Sequence, residues 1–319
     1  MSVPAPQLAR QPGIAEGAHA RPVPAATRCV VIIASTGRAQ VIERNLLSLA
    51  KLNPAPDLVV LSVASEGDLP RSAAIAAAPF EMEIVRGPRG LTRQRNRGLK
   101  AARGRGDVVL FIDDDYVPRP DAIARLIGLM NAERDINGVT GVLLADGIDN
   151  EGYTIDEAQT IVRQSTPDGR APRVLRDIKG LYGCNMAFRA SAIEDIDFDE
   201  RLPAYGWQED IDFTAQVPGR LVVSDALIGV HCGTKNGRER RGERLGYSQV
   251  ANPLYLASKG TMTVRTALRH MLRNMAANHV KSLRPERWVD RAGRARGNRL
   301  ALMDLLMGRL SPERAMEIV

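Results

Sequence analysis

The chain has 319 residues, 44% apolar and 25% charged, with a formal net charge of +7. That length and apolar content can bury a core in one large α/β domain or two smaller ones, which excludes a disordered protein. The positive charge admits nucleic acid, anionic lipid or a phosphorylated small molecule as partner. Aromatic residues make up only 4% and are not interleaved with the basic ones, so the stacking platform of a single-strand binder is missing and no nucleic-acid partner is expected.

Three cysteines, Cys29, Cys184 and Cys232, lack CxxC spacing, which argues against a disulfide framework and a structural zinc site. No run reaches the roughly eighteen apolar residues of a membrane span, and the N-terminal segment lacks the apolar stretch of a secretory signal. A cytoplasmic protein is expected. Residues 1–27, rich in Pro and Ala without periodicity, read as a disordered leader.

From Cys29 onward short apolar runs alternate with helical patterns. "CVVIIAS" reads as a buried strand, Val41 to Lys51 as a helix, "DLVVLSV" as a strand, and Arg71 to Ala78 as a short helix. "EMEIV", a helix from Thr92 to Ala102, and "DVVLFIDDD" follow. This alternation of continuous apolar strands with helices is the signature of a parallel sheet covered on both sides, whose ligands sit at the carboxyl ends of the strands. Next come a helix from Asp121 to about Asn131 and a strand in "GVTGVLLA". Residues 147–180 read as a long loop with some helix near Thr154 to Val162. A strand in "GCNMAFRAS", a helix from about Glu209 and two short strands in "RLVVSDALIGVHCG" complete this region.

The C-terminal part differs in kind. From Val264, apolar residues recur at Ala267, Leu268, Met271, Leu272, Met275 and Val280, with Arg265, Arg269 and Arg273 on another helical face. A second helical stretch carries Trp288, Ala292, Leu300, Met303, Leu306 and Leu310. The expected organisation is a leader at 1–27, an α/β domain at 28–235, and a basic loop with amphipathic helices at 236–319. The last part either packs on the domain or lies on an anionic membrane leaflet.

The stretch "LFIDDDYVP" carries the chemistry. An apolar strand that runs into Asp113, Asp114 and Asp115 would place Asp113 and Asp115 on one face about 7 Å apart. Two such charges repel by roughly 2 kcal/mol at an effective dielectric near 20. A hard divalent cation remedies that repulsion and often bridges a substrate diphosphate. Ser35 to Arg38 occupy the same sheet end after the first strand.

Taken in order, "VVIIASTGRAQVIERNLLSL", "RGLTRQRNRGLKAARGRGDVVLFIDDDYVP", "GCNMAFRASAI", "FDERLPAYGWQEDIDF" and His231 resemble family 2 glycosyltransferases of the GT-A fold, over about residues 29–235. The resemblance implies a GT-A, Rossmann-like α/β domain with a mostly parallel sheet flanked by helices, here with a C-terminal helical extension. Its implied activity is metal-dependent, inverting transfer of one sugar from a nucleotide-diphospho-sugar to a hydroxyl of a glycan or lipid-linked acceptor. That would suit surface polysaccharide or glycolipid assembly, from the cytoplasm or the inner face of the membrane.

The same resemblance places Mg²⁺ or Mn²⁺ on Asp115, with His231 completing the site. It puts Asp113, Asp114, Arg95 and Asn96 on the donor together with Arg93, Ser35, Thr36 and Arg38, makes Asp210 the general base, and sets Trp207 and Glu209 on the acceptor side. By itself His231 reads as a structural histidine, and Glu209 or Asp212 as acids capping a helix dipole. Where many relatives carry an Asp after the second strand to read the nucleobase, this chain has "LSVASEGD", which leaves Ser62, Ser65 or Asp68 to substitute. The membrane helices and Q-x-x-R-W motif of processive synthases are absent from the sequence. Two other classes stay open: a non-catalytic nucleotide-sugar-binding module, and a sugar nucleotidyltransferase, which would usually show a glycine-rich basic loop where this chain has "ASTGRAQ".

Overall fold

A computed structural model describes residues 26–165, 169–235 and 242–318; most of the expected leader and residues 236–241 of the expected basic loop lie outside these. The first half follows the sequence pattern. Strands β1 (Cys29–Ser35), β2 (Leu58–Val63), β3 (Glu81–Arg86) and β4 (Val108–Asp113) alternate with helices α1 (Ala39–Leu49), α2 (Ser72–Ala76) and α3 (Leu91–Ala102). They pair in parallel in the order β3-β2-β1-β4. Both faces of β1 are covered, which is why it is apolar without alternation. Val31 and Ile33 pack with Ile42 and Leu46 of α1, and Val30 and Ile32 with Leu99 of α3.

Beyond β4 the sheet becomes mixed. A turn leads to β5 (Tyr116–Pro118), then α4 (Ala122–Ala132), β6 (Ile136–Asp146), α5 (Ile155–Gln164), β7 (Val174–Asp177), β8 (Asn185–Arg189), α6 (Glu209–Gln216) and β9 (Arg220–His231). The sheet continues β4-β8-β6-β9-β5, with β7 also on β9. Strand β8 runs against β4 and β6, β5 and β7 run against β9, and β6 and β9 are parallel. Six strands therefore share one direction, and the sheet is mostly parallel.

Strand β5 is absent from the sequence reading, which runs from the aspartates straight into α4, and three further details differ. The two short strands expected to end at His231 are one strand, β9, whose pairing with β6 is interrupted by register shifts. In the loop expected over 147–180, the helix expected near Thr154 to Val162 forms as α5, started by a capping box between Thr154 and Glu157, but the loop also holds the unexpected β7. Strand β7 is largely exposed, so no apolar alternation marks it. The C-terminal part begins with a helix: α7 (Gly242–Lys259) precedes α8 (Val264–Lys281) and α9 (Arg291–Leu306). Helices α7 and α9 cross at glycines; a Cβ on Gly297 would meet the Glu243 carbonyl oxygen at 1.9 Å, and one on Gly246 the Arg294 carbonyl oxygen at 2.0 Å. Among the described residues, no helix is long and apolar enough to cross a membrane.

The β6–β9 ladder sets Asp146 directly opposite His231. Gly141 lies at one of its register shifts, where a Cβ would stand 1.7 Å from the Leu227 carbonyl oxygen. Because that obstacle is backbone, Gly141→Ala should destabilise the protein by about 3 kcal/mol, measured by urea unfolding. A cost within experimental error would show that this ladder does not constrain the fold.

Candidate functional site

Strand β4 ends at Asp113, and Asp114 and Asp115 form the turn into β5. The turn brings Asp113 and Asp115 closer than an extended strand would: one ligand atom each of Asp113, Asp115 and His231 lie within 4.8 Å of one another. His231 reaches them because β5 pairs with β9, which sets Tyr116 opposite His231.

The three side chains are aimed by their outer partners. Arg95 holds Asp113 Oδ1 at 3.1 Å, and Asp113 Oδ2 faces His231 Nε2 at 3.7 Å. Arg38 holds Asp115 Oδ2 at 2.7 Å, joined by the Thr234 N–H and hydroxyl at 3.0 and 2.8 Å, while Asp115 Oδ1 faces His231 Nε2 at 3.6 Å. His231 Nδ1 is 2.8 Å from Asp146 Oδ1, whose other oxygen accepts from the Tyr182 hydroxyl at 3.0 Å. Asp113 and Asp115 thus each have one oxygen tied to an arginine and the other turned to the imidazole. Separations near 3.7 Å are long for hydrogen bonds, but two donors each about 2.1 Å from a common ion stand roughly 3–4 Å apart. Two hard oxygens and an imidazole backed by a carboxylate fit a divalent cation.

The charges shift accordingly. Burial would raise the Asp115 carboxyl, but Arg38, His231 and the Thr234 N–H outweigh it and hold it below the usual range. Burial, with the charges of Asp115 and Asp113, raises Asp114 in spite of Arg38. For His231, burial would lower the pKa, yet the Asp146 hydrogen bond and the charges of Asp115 and Asp113 raise it overall.

A second acidic group adjoins the first through Arg95. This buried arginine of α3 ion-pairs with Glu209 as well as Asp113 and donates to the Gly183 carbonyl at 2.8 Å. Asp210 follows Glu209 at the start of α6; its Oδ2 accepts from the Gly183 N–H at 2.9 Å and its Oδ1 from the Ile211 N–H at 2.8 Å. Burial raises the Asp210 pKa against these two bonds and Arg95. Burial and the Asp210 charge push Glu209 up to about 8.

The other residues singled out in the sequence fall into two groups. Ser35 donates to Asp114, which Arg38 also holds at 3.0 Å, so Asp114 is buried and turned toward β1 and α1. Arg38, expected on the donor, is engaged by both acids. Thr36 donates to Gln94, whose amide ties the Ser35 and Ser62 carbonyls together. Ser65 donates to Asp68 at 3.0 Å, and Asp68 also accepts from the N–H groups of Gly37, Ala64 and Ser65.

Arg93 and Asn96 point elsewhere: Arg93 pairs with Glu200 at 3.5 Å, and Asn96 exchanges hydrogen bonds with the Phe198 backbone. Both hold the loop before α6 and make no hydrogen bond or ion pair with the aspartates. Trp207 is half-buried, its carbonyl accepting from Asn252 of α7 at 2.8 Å.

Sequence reasoning missed Asp146, Gln94 and Thr234. Asp146 had a readable signal, since extending the strand "GVTGVLLA" by one residue puts an acid at the ligand end of the sheet. Gln94 and Thr234 act by hydrogen bonds across the fold, which no spacing reveals.

Known proteins supply a comparison. The family model described as Glycosyl transferase family 2 matches residues 30–197, more than half the chain. No curated protein sequence matches. Among solved structures, S. aureus TarS 1-349 in complex with UDP-GlcNAc is 15% identical, with a TM-score of 0.55, covering 92% of this chain and 84% of its own. Another structure of S. aureus TarS 1-349 is 17% identical, with a TM-score of 0.51 and coverages of 92% and 83%. A mannosyltransferase from Pyrobaculum calidifontis in complex with GDP-Man and Mn²⁺ is 18% identical, with a TM-score of 0.47 and coverages of 92% and 86%. The TarS likeness shows a shared GT-A fold, and the family match spans the whole run from β1 through the aspartates to β8: the chain belongs to glycosyl transferase family 2 and is a glycosyltransferase.

Proposed function

We propose that the protein transfers one sugar from a nucleotide-diphospho-sugar to an acceptor hydroxyl with inversion, at a site holding Mg²⁺ or Mn²⁺. The observation that carries this reading is the convergence of Asp113, Asp115 and His231 at the ligand end of the sheet, next to the Arg95–Glu209–Asp210 group. Asp115, His231 and Asp113 would hold the ion. When bound, it would neutralise charge on the donor diphosphate.

The remaining chemistry belongs to the side chains. Asp210 takes the acceptor proton; its raised pKa suits a base working near neutral pH, and two backbone N–H groups fix its orientation. Arg95 holds Asp113 and Glu209 in place, so the donor and acceptor sides share one buried cation. Ser35, Thr36 and Arg38 line the donor side at the end of β1, with Ser65 and Asp68 after β2 on the nucleobase side. Trp207 and Glu209 face the acceptor, a glycan or a lipid-linked sugar of surface-glycan assembly at the inner face of the membrane. Arg93 and Asn96 keep the loop before α6 in position.

Metal binding should depend on pH with a definite sign. The imidazole must be neutral to bind, and the His231 pKa is raised above 6.5. Apparent Mn²⁺ affinity should therefore rise with pH through and above that value, with protons released, as calorimetry in two buffers would read. Asp146→Asn should weaken the ion by about 10- to 100-fold. Affinity that does not vary with pH would remove His231 from the ligand set.

Turnover tests the roles directly. Slow, metal-dependent release of one nucleoside diphosphate from a panel of sugar nucleotides should be lost in Asp115→Ala. Asp210→Asn should still bind that donor but transfer about 10²- to 10⁴-fold more slowly. Wild-type activity should fall on acidification at a pH above the ordinary aspartate value of 3.8, because the base protonates early. An Asp210→Asn enzyme with normal transfer would assign the base elsewhere.

A further inference from the structure

Helix α8 buries one side against the other C-terminal helices, through Ala267, Met271 and Asn278. An apolar row at i, i+4 spacing winds from the edge of this buried side toward the opposite one and stays in solvent: Val264 is 63% exposed, Leu268 40% and Leu272 58%, with Val280 farther round at 68% and Leu283 just beyond the helix at 85%. Beside this row run Arg265, Arg269 and Arg273, all exposed and none with a hydrogen bond or ion pair among the described residues. From Arg244 to Pro285 the chain contains no acidic residue. An exposed apolar row of this length is the kind of surface that marks an interaction site, and the arginines beside it set the charge of what it meets.

We infer that this face of α8 docks on an anionic lipid surface, with the apolar row entering the bilayer boundary and the arginines meeting lipid phosphates. Charge decides the occupant. Two-fold pairing of α8 with a second copy would set the same patch against itself, and the face offers no acid to meet the three arginines. An anionic bilayer supplies both the apolar phase and the negative charge.

The orientation that follows concerns the acceptor and rests on the sugar-transfer reading, whereas the surface itself does not. His270 of α8 lies 3.2 Å from the Gln208 amide, and it is two residues, hence about 200° of helix turn, from both Leu268 and Leu272. Gln208 therefore contacts the flank facing away from the lipid, immediately before Glu209 and Asp210. The loop carrying those acids stands about one helix diameter, roughly 10 Å, above the bilayer. That height suits an acceptor sugar presented on a lipid anchor.

Co-sedimentation of the full chain with phosphatidylcholine vesicles, with and without phosphatidylglycerol, tests the surface. The protein should pellet only with the anionic vesicles and be released by high salt. The triple variant R265Q/R269Q/R273Q should partition about a hundredfold more weakly, the roughly 3 kcal/mol that three surface basic residues are worth. L268S/L272S should also lose binding. Both variants should keep the wild-type melting curve and Mn²⁺ affinity, since the exchanged side chains lie outside the core and the ion site.

Wild type that stays in the supernatant, or variants that pellet like wild type, would overturn the inference. So would an L268S/L272S variant that converts a wild-type dimer to monomer without any vesicle binding, which would make the face a self-association surface. Vesicle binding without cleavage of any sugar nucleotide would leave the surface standing and sink the sugar-transfer reading; cleavage without vesicle binding would do the reverse.

Discussion

Three consecutive aspartates at the end of a buried strand repel one another, and the rest of the site is arranged around that cost. Two arginines from separate elements meet it: Arg38, which precedes α1, grips Asp114 and Asp115, and Arg95 from α3 grips Asp113. Neither neutralises its partner fully, because each leaves one oxygen of Asp113 or Asp115 turned to His231. A buried carboxylate with one paired oxygen and one directed oxygen is costly in a folded chain. It is also the form in which a cation site can be held ready.

The position of His231 is a property of strand length. Strand β9 runs without a break past β6, so its last residue reaches the level at which β4 ends, and the parallel pairing sets Asp146 beside it. The Asp146 bond to Nδ1, itself supported by Tyr182, turns Nε2 toward the aspartates. A histidine fixed in this way presents one defined nitrogen.

Packing links the two acidic groups mechanically. Phe111 of β4 meets Phe198 and Phe213 edge-on, and Phe198 stacks on Phe213 of α6 at 4.1 Å. The strand that carries the aspartates and the helix that carries Asp210 therefore share one aromatic cluster, with the Arg95 guanidinium 5.5 Å from the Phe198 ring centre. The C-terminal helices brace the same region from outside. Lys259 at the end of α7 bridges Asp199 and the fully buried Asp212 at 2.8 and 2.7 Å, and the Thr261 hydroxyl donates to Asp212 at 2.7 Å. The helical extension is thus part of what holds α6 and the loop before it.

Much of this was legible in the sequence, because local signals carry far in a parallel α/β region. Continuous apolar strands, the helices between them and an acidic run at a strand end depend on neighbours only a few residues away, and they located β1 to β4, α1, α3, α4 and the aspartates. The residues "GWQED" marked the second acidic group, although the pattern could not say that Arg95 would join it to the first. Strand β7 escaped because it is exposed, and β9 was read as two strands because its irregular ladder interrupts the alternation. Arg93 and Asn96 stood in the right segment, but helix phase turned them to the loop before α6. Which oxygen faces His231, that Asp146 stands behind it, that Gln94 ties β1 to β2, and which side of α8 stays in solvent are all set by contacts between residues distant in the chain. Composition and periodicity determined the class of fold and where charge had to gather; only the tertiary structure decided which charges meet, because that depends on strand register and helix phase across the sheet.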